Sequence, residues 1–276
     1  MTDEELVDRA LDGDGAALSE LCERLAGPVF RLAWRMLGDR SEAEDATQDV
    51  LIKVITNLSQ FERRSALSTW VHRIAVRHVL AMKTSRGELR ALDEQQFAER
   101  LELGLAIGRA AAPPAPEELV LMQEIGLTCT QAMLMMLSRD ERLAVVLAEV
   151  LELPGPQAAE IAEVSEDTFR QRLSRGRARL SKFLEARCGL VNEAAECRCE
   201  RQIPAKKVAG LSLANRSLSV LAPARDEGIA QAARELRAVR GAVGVFHLDG
   251  ELRAPREVHE RLIAMLPALK LGPLAR

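Results

Sequence analysis

Aromatic residues and long apolar runs are scarce in this sequence. Aromatic side chains make up 3% of its 276 residues, and tyrosine is absent. Hydrophobic residues nevertheless reach 47%, so the cores must be built from leucine, alanine, valine and isoleucine, and this composition favours helices. Because no stretch of 18 apolar residues occurs, we expect no membrane span. The sequence therefore predicts an all-α protein of two or three compact units.

Cysteine is also infrequent, and its distribution argues against a disulfide framework. There are five cysteines, an odd number, and three of them lie within twelve residues. Disulfide scaffolds are typical of oxidising compartments. The acidic N-terminus MTDEELVDRAL begins a helix at once and does not resemble a signal peptide. We therefore expect a protein of the reducing cytoplasm, with Cys22 and Cys129 as core residues on helical apolar faces.

Basic charge is in overall deficit but is concentrated in two places. The formal net charge is −3. Residues 1–50 hold 13 acidic against 5 basic side chains, whereas residues 61–90 hold 7 basic against 2 acidic and residues 164–187 hold 7 against 3. Two basic islands in an acidic chain indicate either two phosphate-binding surfaces or two solvated helix faces.

Helix signals dominate the first 187 residues. Capping boxes, in which a hydroxyl and a carboxylate three residues apart each accept from the other's backbone N–H, are predicted at Thr2/Glu5, Ser41/Glu44 and Ser138/Glu141. Apolar residues of helical period follow each of them. The pattern predicts helices near 3–11, 15–37, 42–59, 68–84, 119–137, 139–152, 156–163 and 166–186.

Two weakly patterned stretches divide the chain. Residues 85–117 contain GRAAAPPAPE, an alanine–proline tract that cannot continue a helix, and we interpret them as a flexible linker. The linker joins a helical domain at 1–84 to a second one at 118–187. Residues 188–276 are interpreted as a mainly helical C-terminal extension. Within it, helices are expected at 226–240 and 255–268.

The second basic island forms the second helix of a helix-turn-helix arrangement. Pro156 suits the first turn of a short helix, the chain turns at Val164–Ser165, and Ser165 caps the next helix. In such a motif, the start of the second helix reads base edges and flanking cations hold phosphates. An ordinary basic surface helix is the alternative. The predicted buried stripe is Phe169, Leu173, Gly176, Leu180 and Phe183.

Seven residues off this stripe are candidate contacts to duplex DNA. We assign Arg170 and Gln171 to bases, and Arg175, Arg177 and Arg179 mainly to phosphates. The full candidate set is Asp167, Arg170, Gln171, Ser174, Arg175, Arg177 and Arg179.

The segment LPGPQAAEIAEVSEDTFRQRLSRGRARL resembles region 4 of the bacterial sigma factors, in particular the small extracytoplasmic-function (ECF) group. The resemblance implies binding to a −35 promoter element, although the preferred sequence does not carry over. Two departures concern the entry, PGPQ, and the turn, where Glu163 and Val164 replace the usual pair. The residues that match the family pattern without a gap are Glu160, Ile161, Ala162, Thr168, Phe169, Arg172, Leu173, Arg175 and Arg177.

A polar face on the helix SEAEDATQDVLIKVITNLSQF is a candidate docking surface. Its four residues are Asp45, Gln48, Asp49 and Ile52, three to four positions apart. The segment resembles sigma region 2.2, which implies that these residues contact core RNA polymerase, with Val50 departing from the usual aromatic. Taken by itself, the face is equally explained as a solvated acidic surface. The predicted buried stripe of this helix is Ala43, Ala46, Val50, Val54 and Leu58.

The next segment, FERRSALSTWVHRIAVRHVLAMK, combines an aromatic side chain with cations, as binding of single-stranded DNA requires. It is similar to sigma regions 2.3 and 2.4, which implies contacts with an unpaired base of the −10 element. Ser68 is expected to cap its helix. The candidate DNA contacts are Arg63, Arg64, Ser65, Trp70, Arg73 and Arg77. The predicted buried stripe is Val71, Ile74, Ala75, Val79 and Met82.

Three side chains of this segment have alternatives. Trp70 is either the stacking platform or a core residue. His72 and His78 are expected to be ordinary polar side chains rather than ligands.

The linker length agrees with the resemblance, which covers residues 1–187. The two promoter elements of sigma factors are separated by about 17 base pairs, roughly 58 Å. A flexible linker of about 35 residues has an r.m.s. span of roughly 30–35 Å and a maximum of about 115 Å. It would bridge the two elements if polymerase holds it partly extended.

Three cysteines in the extension, Cys188, Cys197 and Cys199, are a candidate site for zinc or another thiophilic metal. Three sulfurs leave tetrahedral zinc one ligand short, which His247, His259 or a partner protein would supply. Some ECF factors carry Cys-rich tails to which metal sensing is attributed, and this tail is similar in kind. Structural zinc, metal or redox sensing, and plain free thiols stay open as explanations.

Together, the segments predict a non-catalytic sigma factor that binds core RNA polymerase and promoter DNA, requires no cofactor, and has an anti-sigma factor as a further candidate partner. The segment from 226 onward, interpreted as two amphipathic helices around a short loop, is expected to dock back on region 2 or region 4 and regulate access to polymerase or DNA, or else to add stability only. A stand-alone helix-turn-helix metalloregulator without polymerase contact is the alternative. A metal enzyme is a weaker hypothesis, because no general base or open metal site can be assembled around the cysteines.

Overall fold

The computed structural model describes residues 1–115, 118, 121–208, 254, 255, 258, 260, 261 and 264. Its helices are α1 (Asp3–Leu11), α2 (Gly15–Leu37), α3 (Arg40–Thr56), α4 (Leu67–Ala81), α5 (Arg86–Leu89), α6 (Glu94–Ala110), α7 (Leu121–Met135), α8 (Arg139–Val145), α9 (Gly155–Ile161), α10 (Glu166–Arg187) and α11 (Cys199–Lys207). A 3₁₀ turn at Leu58–Gln60 follows α3, and a π-helical turn at Val146–Val150 extends α8.

The all-α prediction is confirmed for the described residues, where the one isolated β-bridge joins Cys188 to Cys197. No helix in this part of the chain is long and apolar enough to span a membrane. The helix expected at 226–240 lies outside the described residues, as does most of the one expected at 255–268.

Three helices start at the predicted capping residues. Thr2 and Glu5 form the expected capping box at α1. Ser138 caps α8 by accepting from the N–H of Glu141 at 3.3 Å, and Ser165 caps α10. Short polar side chains therefore fix where these helices begin, because they satisfy backbone N–H groups that have no partner in the helix.

Two predicted caps are wrong. α3 begins before Ser41, because Gly38 ends α2 in the left-handed conformation (φ 69°) and the carboxylate of Asp39 then caps the next helix. α4 begins before Ser68, and its N-cap position has no side-chain hydrogen bond. Leu67 is only 4% exposed, so its burial draws the first turn of α4 into the core.

Helices α1, α3 and α4 pack around α2, and together the four helices form the first part of the core. Phe30 and Trp34 of α2 are buried at its centre. On α4, the predicted stripe is buried at Val71, Ala75 and Val79, whereas Ile74 and Met82 are half-buried. The predicted stripe of α3 is buried throughout, at Ala43, Ala46, Val50, Val54 and Leu58.

The expected flexible linker at 85–117 is corrected by the structure, which places α5 and α6 there. Phe97, Leu101 and Leu105 of α6 are buried, and the Phe97 ring stacks on Phe183 of α10 with centroids 5.4 Å apart. The alanine–proline tract does end the helix, since α6 stops at Ala110. The prolines therefore prevent helix formation only where they stand, and not in the residues before them.

Helices α7 to α10 form the helix-turn-helix unit. Gly176 allows α10 to approach α8 closely, because a Cβ at this position would lie 2.8 Å from Cγ2 of Val145. The apolar core of this unit is continuous with that of α1 to α4. The predicted stripe of α10 is buried at Phe169, Gly176, Leu180 and Phe183 and half-buried at Leu173.

Hydrogen bonds and ion pairs of three arginines, two of them buried, join the two units. Arg142 of α8 is 3% exposed and donates to a main-chain carbonyl at the end of α2 (2.5 Å) and to the Glu88 carboxylate (3.0 Å). The Glu88 carboxylate of α5 also forms an ion pair with Arg139, whose Nη2 atom lies 2.6 Å from Oε2. The fully buried Arg35 of α2 donates to a threonine hydroxyl of α7 at 3.0 Å. The two units are therefore packed against each other rather than held apart by a linker.

The described part of the extension docks on α6 and α7. Ile203 of α11 is fully buried and clusters with Met122 and Ile125 of α7. An ion pair between Lys206 and Glu124, at 2.6 Å, lies at the same contact. The segment that was expected to dock back, from 226 onward, lies mostly outside the described residues.

Candidate polymerase and DNA interfaces

The acidic face of α3 lies on the surface of the first unit. Asp45 and Asp49 are exposed, while Gln48 and Ile52 are half-buried at its edge. His78 of α4 lies beside this face, with its Nε2 atom 3.6 Å from Asp49. Burial and the nearby Lys53 charge lower the pKa of His78, against an opposing effect of Asp49, so the imidazole is neutral at pH 7. The structure thus brings the four predicted residues together on one accessible face.

The loop before α4 carries the first three candidate −10 contacts. Arg63 has a left-handed backbone (φ 58°), and its guanidinium pairs with Asp8 of α1. Arg64 is largely exposed and pairs with Glu62 at 2.7 Å. Ser65 is half-buried. The loop therefore presents two guanidinium groups, each already held by a carboxylate.

Trp70 is half-buried, between the two alternatives that the sequence left open. Its ring tilts against Phe61, with centroids 5.4 Å apart and planes at 42°. Arg73 lies three residues further along α4, on the same face of the helix as Trp70. An aromatic ring fixed by a second ring and flanked by a cation suits the stacking of an unpaired base.

Arg73 and Arg77 face α9 and the turn that follows it. Arg77 makes a two-pronged contact with Glu163, with its Nε donating at 3.0 Å. Arg73 lies 3.6 Å from Glu160 and 3.7 Å from Glu163. Gln157 of α9 donates to the hydroxyl of Thr69 at 2.9 Å. The sequence pattern does not predict these contacts between α4 and α9, although the departure from the family pattern at Glu163 is a visible signal.

All seven candidate −35 residues on α10 are exposed. Asp167 and Arg170 pair with each other in the first turn. The later arginines lie over acidic side chains of α8 and its extension: Arg175 and Arg179 are each 3.4 Å from Glu141. A row of carboxylates therefore orients the later arginines, which are the candidate phosphate contacts, while Gln171 and Ser174 are exposed at the surface.

Glu149 and Asp140 complete this carboxylate row. Glu149 is buried and accepts from Nε of Arg177 at 2.5 Å, and Asp140 pairs with Arg172 at 2.8 Å. The arginine-rich helix is thus matched by acidic residues on the packing helix.

The three cysteines of the extension meet a fourth thiol, which the sequence pattern assigns to the core. Cys129 of α7 lines one apolar pocket together with Cys188, Cys197 and Cys199. Burial raises the pKa of Cys129 well above its usual value, and the neighbouring thiols add to this increase. Burial also raises the pKa of Cys199, to about 12. Within the described residues, no three cysteine, histidine, aspartate or glutamate side chains are arranged to hold a metal ion. The structure therefore gathers four protonated thiols but not a preformed ligand set.

Cys22 behaves as predicted. It is buried in α2, and burial raises the pKa of its thiol to about 12. His247 and His259, the other suggested ligands, have side chains outside the described residues.

Comparison with known proteins gives matches to both halves of the chain. The model of Sigma-70 region 2 matches residues 21–88, and that of Sigma-70 region 4 matches residues 127–180. A solved structure of CnrH in complex with the cytosolic domain of CnrY is 22% identical and covers 67% of this chain and 97% of that chain, with a TM-score of 0.47.

Two curated relatives are similar at the sequence level. The ECF RNA polymerase sigma factor SigE of Mycolicibacterium smegmatis is 31% identical over 175 residues, which are 62% of this chain and 64% of that protein. The RNA polymerase sigma-H factor of Pseudomonas aeruginosa is 30% identical over 183 residues, 66% of this chain and 94% of that protein. Because the latter is matched over nearly its whole length and both family segments occur in order, the chain belongs to the sigma-70 family, in its ECF group.

Proposed function

We propose that this chain is a non-catalytic initiation subunit that binds core RNA polymerase and directs it to promoters through a −10 and a −35 element. The observation that carries the proposal is the presence, on one chain, of an exposed acidic face on α3 and an exposed arginine-rich face on α10. A stand-alone helix-turn-helix regulator has no use for the first face. As a polymerase subunit, the protein is expected to work in the cytoplasm.

The polymerase contact is assigned to Asp45, Gln48, Asp49 and Ile52. Two carboxylates at the centre give charge complementarity with a basic partner surface, and the half-buried isoleucine adds an apolar contact. The face belongs to a helix whose opposite side is fully buried, so it is presented rigidly.

The −35 contact is assigned to the exposed face of α10. Arg170 and Gln171 lie near the start of the helix, which enters the major groove in this motif. A bidentate arginine–guanine contact contributes about 1–3 kcal/mol of discrimination, whereas phosphate contacts by the later arginines add affinity without sequence preference.

The −10 contact is assigned to Trp70 and to the cations around it. Unpairing a base costs a few kcal/mol, and stacking on an aromatic ring recovers about 1–3 kcal/mol per base. Arg63, Arg64, Arg73 and Arg77 supply charge along the strand. These assignments require that the carboxylates now paired with the arginines give way to phosphates.

A polymerase pull-down tests the proposal and separates it from the metalloregulator alternative. We expect wild-type protein to retain core polymerase and Asp45→Arg/Asp49→Arg to lose at least tenfold in retained polymerase, since two reversed charges repel the same partner surface. The matched control is Glu94→Arg/Glu99→Arg, which reverses two exposed acidic residues on α6. Failure of the wild type to retain polymerase would contradict the proposal.

We further propose that Cys129, Cys188, Cys197 and Cys199 bind one thiophilic cation such as zinc. Four sulfurs satisfy its tetrahedral preference without a histidine, and all four line one apolar pocket. The thiols would have to rotate towards a common centre and lose their protons. A bound cation would then fasten α7, the end of α10 and the start of α11 together.

Metal content and cobalt absorption test the thiol site. We expect one zinc per chain in wild type and in Cys22→Ser, and loss of zinc and of the cobalt–thiolate band in Cys129→Ser and Cys197→Ser. A loss in Cys197→Ser but not in Cys129→Ser supports the three-sulfur version instead. Wild-type protein without zinc and without a cobalt band would contradict both versions.

The role of the extension is tested by deleting residues 188–276 and measuring promoter-specific transcription. We propose that the extension regulates access to polymerase or DNA, supported by the docking of α11 on α7. An unchanged activity, with and without metal, would instead favour a stabilising role. An anti-sigma partner stays a prediction.

A further inference from the structure

Glu149 differs from the other carboxylates that lie beneath the arginines of α10, because it is buried. Its side chain is 6% exposed, whereas that of Asp140 is 55% exposed. A single oxygen of Glu149, Oε1, accepts from Nε of Arg177 at 2.5 Å and also pairs with Nη2 of the same guanidinium. Arg177 is therefore held along one edge of its guanidinium by a carboxylate that water hardly reaches.

A π-helical turn brings this carboxylate to α10. The turn spans Val146–Val150, and the N–H of Leu151 donates to the carbonyl of Val146, five residues back, at 2.9 Å. Turns of this kind are rare and occur frequently at functional sites. Because the turn is wider than an α-helical one, Glu149 faces a different direction from the one that an uninterrupted α-helix would give it. The position of the carboxylate therefore depends on a local departure from α-helical geometry.

Burial makes the contact between Glu149 and Arg177 persistent. A buried carboxylate without a cation is costly, so Arg177 stays on Glu149 when DNA approaches. Arg175 and Arg179 share Glu141 at 3.4 Å each, and half or more of each arginine side chain is exposed, so water and phosphates compete for them readily. The three candidate phosphate contacts therefore behave differently: Arg177 keeps one fixed orientation, while the other two can exchange partners.

A second edge of the Arg177 guanidinium, the one between Nη1 and Nη2, suits a phosphate. A guanidinium group carries five N–H donors in one plane. The carboxylate of Glu149 takes the donor of Nε and one donor of Nη2, so a donor of Nη1 and the second donor of Nη2 lie parallel along the other edge. A bidentate arginine–phosphate contact needs two such parallel donors. Because 48% of the arginine side chain is exposed, a phosphate can reach this edge.

We propose that Glu149 is a positioning residue for promoter recognition: it fixes the Arg177 guanidinium so that one DNA phosphate is bound at a set place, and this contact sets the register of α10 in the groove. The inference rests on the proposed −35 role of α10. Phosphate contacts fix the orientation and register of a protein on DNA. Arg170 precedes Arg177 by seven residues, about two helical turns, so both lie on the same side of α10. A phosphate fixed at Arg177 therefore determines where Arg170 meets the bases.

The specificity of duplex binding tests this role. The full chain, assembled with core polymerase, selects a −35 duplex from a randomised library, and its affinity for that duplex is compared with its affinity for a scrambled one. We expect Glu149→Asp, which keeps the charge but withdraws the carboxylate by one methylene, to reduce the ratio of the two affinities roughly three- to tenfold. The slope of log K against log salt on the selected duplex should become shallower by up to about 0.9, because one phosphate contact is lost. A wild-type ratio and slope in Glu149→Asp would overturn the inference.

A second pair of variants separates positioning from charge. Glu149→Gln keeps the accepting oxygen without the charge, so we expect a smaller loss of the ratio than in Glu149→Asp. A gain by the same factor on both duplexes would show that Glu149 only neutralises Arg177 and would overturn the inference. Arg177→Lys should lower the ratio as Glu149→Asp does, and combining the two should cause no further loss, because lysine has no planar edge to orient. An unchanged ratio in Arg177→Lys, or additive losses in the double variant, would contradict the positioning role.

Glu185→Asp is the matched control, because it makes the same change at an exposed residue of α10. It should keep the wild-type ratio and slope, and an equal loss there would overturn the inference. A purely structural role of Glu149 would lower the folded fraction, measured by circular dichroism, but would leave the affinity ratio and the salt slope of the folded protein unchanged. If the wild type selects no −35 sequence at all, the proposed function fails, whereas wild-type selectivity in the Glu149 variants contradicts the positioning role alone.

Discussion

His72 is a buried imidazole on α4, next to the candidate DNA contacts. It is 6% exposed, and neither ring nitrogen makes a well-formed hydrogen bond within the described residues. Burial, then the charge of Arg31, lowers the pKa of His72 to about 4, and a weak contact with the Ser68 carbonyl opposes this only slightly. The residue is therefore a neutral core side chain whose desolvation is not offset by hydrogen bonds.

Replacing this imidazole should stabilise the protein. We expect His72→Leu to raise the free energy of unfolding by about 1 kcal/mol at pH 7, because it removes unsatisfied polar atoms. The pKa of the folded form lies below the unfolded value near 6.5, so wild type loses stability as pH falls from about 6.5 to 4. The difference in free energy of unfolding between the variant and wild type should therefore increase by up to about 2 kcal/mol between pH 7 and pH 5. Chemical denaturation at both pH values measures it.

His78→Leu is the control for this prediction. His78 is half-buried and keeps contacts with Lys53 (2.7 Å) and Asp49 (3.6 Å), so its replacement should give no comparable gain. A His72→Leu variant that is less stable than wild type at pH 5 would contradict the argument.

Glycine has a defined structural role in α6, the helix that the sequence pattern did not reveal. A Cβ on Gly104 would lie 1.9 Å from the side chain of Gln202, and one on Gly108 would lie 2.1 Å from the Arg201 carbonyl. α6 and α11 therefore approach at van der Waals distance through two glycines. A side chain can move aside, but a carbonyl of the neighbouring helix cannot.

Gly108→Ala should consequently destabilise the docking of α11. We expect a loss of about 1–3 kcal/mol in the free energy of unfolding, because overpacking forces the two backbones apart. Hydrogen exchange of α11 amides should accelerate in parallel. Gly15→Ala is the control, since a Cβ at that position meets nothing within 4 Å and should be neutral or slightly stabilising. Equal effects of the two substitutions would argue against close α6–α11 packing.

The sequence pattern predicts α3 and α10 well but does not predict α6. The reason is that α6 depends on packing partners that are distant in the sequence. The stripes of α3 and α10 are dense enough to fix a helical face without knowledge of the partner. α6 has three buried apolar residues, Phe97, Leu101 and Leu105, spaced four apart. Their partners, Phe183 and α11, lie more than 80 residues away in sequence. Only the tertiary contact makes this sparse pattern a stable helix.

At the scale of the whole molecule, Glu88 is the ionic centre of the interface between the two units. Burial alone would raise the pKa of Glu88, but hydrogen bonds from Arg139 and the Ser85 backbone, with the charges of Arg142 and Arg139, lower it to about 2. A depressed carboxylate pKa means that the unfolded or opened chain binds the proton more readily. The interface should therefore weaken as pH falls from about 4.5 towards 2.

Glu88→Gln tests this dependence. We expect the variant to lose about 1–3 kcal/mol of unfolding free energy at pH 7, because Arg139 and Arg142 lose a charged acceptor. Its stability should then fall less steeply than that of wild type between pH 4.5 and 2, since the titrating group is gone. Thermal unfolding across this range provides the measurement. A variant with the wild-type slope would show that other carboxylates dominate acid unfolding.

Arg109→Ala is the matched control for that change. Arg109 forms an exposed ion pair with Glu196 at 2.7 Å, with roughly half of the arginine side chain in water. Its removal should cost less than about 1 kcal/mol and leave the acid slope unchanged.

Local sequence determined the helices with dense apolar stripes, the caps at Thr2, Ser138 and Ser165, and the two family segments, because these depend on neighbours within a few residues. The tertiary structure alone decided which surfaces meet. Arg77 and Glu163 are 86 residues apart, and Cys129 of α7 lines the same pocket as the three thiols of the extension. A helical period specifies which face is buried but not which partner covers it, so contacts between distant elements follow from the packing of the whole chain.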